Sequence, residues 1–114
     1  MGADPVVPLR SLTLERQKSG DTVTLLCHGR LVAETAGRLQ DEVHALLPQA
    51  QTIVLDLSDV QYMDSSGLGA LVSVYVSTKR AGKRLQLLKV SERVQELLKI
   101  TKLLSVFEGY GEYL

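Results

Sequence analysis

Apolar and polar positions along this chain follow two different periods, and the changes from one to the other mark out its elements. In Thr22-Val23-Thr24-Leu25-Leu26-Cys27-His28-Gly29, residues Val23, Leu25 and Cys27 fall on one side while Thr24, Leu26 and His28 fall on the other, the two-residue period of a strand. Residues 11–15 alternate in the same way, and Ser19-Gly20-Asp21 supplies a turn, so the spacing predicts a hairpin. From Thr35, the expected N-cap, apolar residues recur at Ala36, Leu39, Val43, Leu46 and Leu47, which predicts an amphipathic helix closed by Pro48. Residues 52–57 read as a mostly buried strand. Residues 65–79 fit both periods: Val72, Val74 and Val76 alternate, whereas Leu68, Leu71, Val72, Tyr75 and Val76 form a helical stripe. Length favours the helix, as do a cap at Asp64 or Ser65, the cations Lys79 and Arg80 at its negative end, and Gly82 as a stop. Residues 84–88 form the next expected strand, and Ser91 caps a third helix with Val94, Leu97, Leu98 and Thr101 on its apolar face. Val106-Phe107 is expected to add a last short strand. This order predicts an α/β fold, a mixed sheet of four or five strands packed by helices.

Composition narrows the function. The 114 residues suit one domain, with residues 1–10, which hold Pro5 and Pro8, as a flexible N-terminal arm and residues 11–114 as the folded unit. Lysine and arginine number 13 and aspartate and glutamate 13, so no overall charge recruits nucleic acid or an anionic membrane. A lone Cys27, no secretory pattern at the start and no long apolar run lead to the expectation of a cytoplasmic protein without a membrane partner.

The chemistry concentrates in Met63-Asp64-Ser65-Ser66-Gly67-Leu68-Gly69, between a buried strand and a helix. Backbone amides at a helix start lack intrahelical acceptors, so one reading is that Asp64 and Ser65 merely cap the helix. The other is that an anion belongs here: a phosphate on Ser66 would gain from the helix dipole and from unpaired N–H groups without unfolding the domain. Its charge would be felt by a partner packed on the turn, with Gly67 and Gly69 leaving room for that partner's backbone.

Asp64-Ser65-Ser66-Gly67-Leu68-Gly69 after a hydrophobic strand resembles the signature of the STAS domain family, the anti-sigma factor antagonists. The similarity extends to Gly29-Arg30-Leu31 followed by Thr35-Ala36, and to Leu55-Asp56-Leu57 leading into Val60 and Met63. The resemblance implies partner switching by a non-enzymatic protein. The unphosphorylated form binds an anti-sigma factor that is also a serine kinase and so frees the sigma factor; phosphorylation ends the binding and a phosphatase restores it. It further implies that Ser66, the second serine of the motif, accepts the phosphate, while Asp64, Ser65, Ser66, Gly67, Leu68 and Gly69 form the contact surface. Family members commonly carry an aspartate where this chain has Val32, and Glu34 is the expected substitute. No cofactor or metal is expected, ATP being carried by the kinase.

A signalling scaffold of the same fold that is never phosphorylated is the alternative. A serine hydrolase fits less well, because a nucleophile elbow needs glycine two residues before the serine and Asp64 stands there, with only His28 and His44 as bases. Gly67-Leu68-Gly69 begins a dinucleotide fingerprint, but its last glycine position is Val72. Cys27 and His28 point to opposite faces of a strand, so a core cysteine and a surface histidine are expected rather than a pair. Lys79, Arg80, Lys83 and Arg84 read as charges suited to a helix end, and Glu92, Arg93, Glu96 and Lys99 as a solvated helix face.

Overall fold

The computed structural model describes residues 11–103. Strands β1 (Leu12–Ser19) and β2 (Thr22–Leu31) form the predicted hairpin, joined by Gly20 and Asp21, with Gly20 at a φ of +60° that glycine adopts without strain. β1 runs beyond the predicted residues 11–15 because its exposed second half is held by the backbone ladder, which leaves no hydrophobic alternation to read. Val23, Leu25 and Cys27 are buried and Thr24, Leu26 and His28 half-buried, as the alternation requires.

Helix α1 (Ala33–Leu46) has its N-cap at Val32, three residues before the expected cap Thr35. Thr35 serves from inside the first turn instead: its hydroxyl accepts the Val32 N–H at 2.9 Å and donates to the Arg30 carbonyl at 2.8 Å. This is the reaching-back half of a capping box, with threonine in the place usual for Glu or Gln. Pro48 lies in a short 3₁₀ turn, Leu47–Gln49, that ends the helix.

Strand β3 (Thr52–Met63) is twice the predicted length. Its first half, residues 53–57, is buried on both faces as a central strand should be, while Ser58 and Asp59 are exposed and interrupt the pattern. Buried Asp56 accepts both the N–H and the hydroxyl of Ser58 on one carboxylate oxygen, Oδ1, at 3.0 and 2.7 Å, which offsets part of the cost of its burial. Helix α2 (Ser65–Arg80), strand β4 (Arg84–Leu88) and helix α3 (Glu92–Ile100) complete the described chain. The sheet order is β1-β2-β3-β4, with β1 antiparallel to β2 and the other neighbours parallel. Helices α1 and α2 pack against each other, and α3 packs on β3.

The expected stripe on α2 is rotated. Gly67, Ala70, Leu71, Val74 and Thr78 are buried, so only Leu71 of the predicted set lies centrally; Leu68, Val72 and Tyr75 sit on a flank and Val76 is 42% exposed. The helix start lies too close to β2 for a side chain at position 67, and that approach fixes which face turns inward. On α3, Val94 and Leu98 are buried and Leu97 packs against the core, whereas Thr101 is the exposed C-cap. The predicted arm at residues 1–10 and the strand at Val106-Phe107 lie outside the described residues. Among the described residues no helix is long and apolar enough to cross a membrane.

Candidate functional site

β2 and β3 run parallel, so their C-terminal ends meet at one edge of the sheet, where α1 and α2 begin. The Leu31 carbonyl ties them together. It accepts the Asp64 N–H at 3.3 Å, and a Cβ on Gly67 would stand 2.1 Å from its oxygen and 2.8 Å from Met63 Cγ. Gly67 is therefore a packing glycine: the room it leaves is filled by this chain, not by a partner. Gly69 differs, being exposed with nothing within 4 Å of an added Cβ. Leu68 is half-buried against the core.

Asp64 is the N-cap of α2, and its Oδ1 accepts the amides of Ser66 at 2.9 Å and Gly67 at 3.1 Å. The amides expected to greet a phosphate are thus already taken by a carboxylate. Ser65 and Ser66 occupy the first two helical positions, both exposed, and among the described residues the Ser66 hydroxyl makes no hydrogen bond. A phosphate there would stand beside Asp64 and project outward, with the helix dipole in its favour and local neutralisation incomplete.

Glu34 and Asp64, expected to belong to one surface, line one cleft of about 370 Å³ together with Arg30, Val32, Ala33 and Tyr62. Val32 is buried at 6% exposure, so it presents no side chain of the aspartate kind, and the exposed Glu34 supplies the carboxylate of that wall. A grouping of three residues in this region escaped the sequence reading. Arg30 lies opposite Tyr62 in the β2–β3 ladder with its guanidinium 5.2 Å from the ring centre, and Arg93 of α3 stands 5.3 Å from the same ring. Only the register reveals the first pair, and Arg93 looked like one more charge on a solvated helix face.

The histidines serve other elements. His28 meets Asp59 Oδ2 through Nδ1 at 2.7 Å and Glu15 Oε1 through Nε2 at 2.8 Å, and these bonds, Asp59 first, raise its pKa. His44 Nε2 lies 3.1 Å from the Ser77 hydroxyl. Neither histidine is paired with Ser66, so the base that a hydrolase requires is not beside its nucleophile. Cys27 is buried and its thiol is pushed up to about 12, by burial first and then by the Asp56 charge. Among the described residues no cluster of His, Cys, Asp and Glu is arranged to hold a metal.

Comparison with known proteins identifies a family through its sequence model and adds similar relatives and folds. The STAS domain matches residues 13–112. The anti-sigma-B factor antagonist of Bacillus subtilis is 28% identical over 98 residues, spanning 86% of this chain and 90% of the relative. That of Staphylococcus epidermidis is 32% identical over 97 residues, spanning 82% and 87%. Among solved structures, the anti-sigma factor antagonist SpoIIAA in its unphosphorylated form has a TM-score of 0.70 at 19% identity, covering 91% of this chain and 86% of that one. The Bacillus cell fate determinant SpoIIAA in its phosphorylated form has a TM-score of 0.68 at 18% identity, covering 91% and 89%. These two likenesses establish the fold.

Proposed function

The chain belongs to the STAS domain family, and on that premise we propose that it is an anti-sigma factor antagonist working by charge-controlled partner switching. Unphosphorylated, it binds an anti-sigma factor with serine kinase activity through the exposed surface around Asp64, Ser65, Ser66 and Gly69, with Glu34 on the adjoining wall, and so releases the sigma factor. The kinase transfers a phosphoryl group to Ser66, the complex parts, and a phosphatase resets it. The protein acts in the cytoplasm through residues 11–114 as one unit, catalyses nothing itself and relies on ATP held by the kinase.

The observation that carries this reading is the state of the turn before phosphorylation. Ser66 is exposed and its hydroxyl uncommitted, while the neighbouring amides are satisfied by Asp64. Adding roughly two negative charges there costs the fold little and costs a closely packed partner much, through desolvation and repulsion. The experiment is a capture from cells of the source organism with wild-type, Ser66→Ala and Ser66→Asp baits, followed by mass spectrometry. A serine-kinase-like anti-sigma factor bound to the first two and absent from the third supports the switch. The same partners on all three baits would place the function with an unphosphorylated scaffold.

A further inference from the structure

The ends of β2 and β3 carry two guanidinium groups on one aromatic ring, Arg30 at 5.2 Å and Arg93 at 5.3 Å from the centre of Tyr62. The arrangement is built from three elements: Arg30 and Tyr62 are direct ladder partners, and α3 is held over them by the Ser91 hydroxyl, which donates to the Val60 carbonyl at 3.2 Å. Stacking on a ring holds a guanidinium in place and leaves its N–H fork for acceptors. Among the described residues neither fork has one, and no carboxylate stands within ion-pair distance of either group. Of the other described arginines, Arg16 is committed to Glu42 and Arg38 to the Leu12 carbonyl, while Arg80 and Arg84 lie on other elements and on no described aromatic ring. The two carboxylates of the adjoining cleft do not meet this need: Asp64 holds the amides of α2, and Glu34 has an interaction of its own.

We propose that Arg30, Tyr62 and Arg93 form a docking surface for carboxylate side chains of the protein partner, beside the phosphorylatable turn. The inference rests on the switch proposed above and supplies its missing half, the chemistry on the other side of the interface. A phosphate expels a partner only if that partner's facing surface is acidic or sheds water it cannot regain; facing a basic surface, the same phosphate would tighten the complex. Acidic residues seated on Arg30 and Arg93, at the cleft that Arg30 and Tyr62 share with Asp64 of the turn, satisfy the unused forks before phosphorylation and are repelled after it.

The test has two arms. In the first, the partner recovered with the wild-type bait is purified and its affinity measured for wild type, Arg30→Glu, Arg93→Glu, Ser66→Asp and the remote control Lys18→Glu. Each arginine reversal is expected to weaken binding by roughly 10- to 100-fold, as loss of a charged hydrogen bond does. The control should leave binding unchanged, and replacing a facing Asp or Glu of the partner by Lys should restore it. Binding unchanged or tightened by both reversals overturns the proposal. If the reversals weaken binding while Ser66→Asp does not, the acidic docking stands and the phosphate switch falls. The second arm needs no partner: an acetylated tetraglutamate peptide is titrated into labelled protein by NMR. Shifts at the Arg30 and Arg93 Nε–Hε signals, absent with tetralysine, are expected; no shift there, or larger ones at Lys83 and Arg84, counts against the surface.

Discussion

Gly67 and Gly69 lie two residues apart on the same helix, and the structure predicts opposite outcomes for the same substitution. An alanine within a helix is normally worth up to about 1 kcal/mol over glycine. At Gly69 nothing lies within 4 Å of the new methyl, so Gly69→Ala should keep most of that gain and melt a few degrees higher. At Gly67 the methyl would lie 2.1 Å from the Leu31 oxygen, more than 1 Å inside an ordinary carbon–oxygen contact, and the obstacle is backbone, not a side chain that can swing away. Relief requires lifting the start of α2 from β2, which also stretches the bond from the Asp64 N–H to the same carbonyl. Overpacking of this kind costs about 1–3 kcal/mol and the hydrogen bond about 1 kcal/mol more. After subtracting the propensity gain, Gly67→Ala should lose about 1–3 kcal/mol, a fall in Tm of roughly 5–20 °C for a domain of this size. Thermal melts followed by circular dichroism on the two variants and wild type decide it. A Gly67→Ala protein melting at or above wild type would refute the close packing of α2 on β2, and with it the account of how the turn is held.

Three further outcomes follow from the same geometry. Asp64→Ala removes the acceptor of two amides and should cost about 1 kcal/mol in urea unfolding, while Asp64→Asn, which keeps an acceptor oxygen, should lose less; equal losses would show that charge and not capping is at work. His28 meets carboxylates through both ring nitrogens, which only the protonated ring satisfies as a double donor, and its folded pKa is raised above the unfolded value. Its stabilisation is therefore fully present below about pH 6.5 and lost as pH rises through the folded pKa, so His28→Gln should flatten that part of the urea midpoint against pH, and an unchanged slope would exclude the bridge. Cys27, with its thiol pushed up to about 12 and its side chain buried, should resist a thiol reagent at neutral pH in the native protein and react after denaturation; fast native labelling would contradict its burial.

Much of this molecule was legible in its sequence because the deciding forces were local. The hairpin, the helix closed by Pro48 and the helix that stops just before Gly82 each carry a period or a stop that can be read residue by residue. Ends and faces were not legible where distant backbone decides them. β3 continues through polar Ser58 and Asp59 because β2 lies alongside, and the inward face of α2 is set by the Leu31 carbonyl, 36 positions before Gly67. The turn itself was visible as a motif. Its electrostatics were not, since nothing in Asp64-Ser65-Ser66 says that the aspartate has already occupied the amides. Arg30, Tyr62 and Arg93 come together only through strand register and the docking of α3, information that no single segment holds.

The central claim is that charge at Ser66 ends a partner's binding, and calorimetric titration of the captured anti-sigma factor tests it most directly. The partner is titrated into the unmodified protein and into protein carrying phosphoserine at position 66, at the same ionic strength. The account predicts a loss of affinity of about 100-fold or more with the fold and melting temperature essentially kept. Equal affinities for the two forms, or tighter binding of the phosphorylated one, would contradict it.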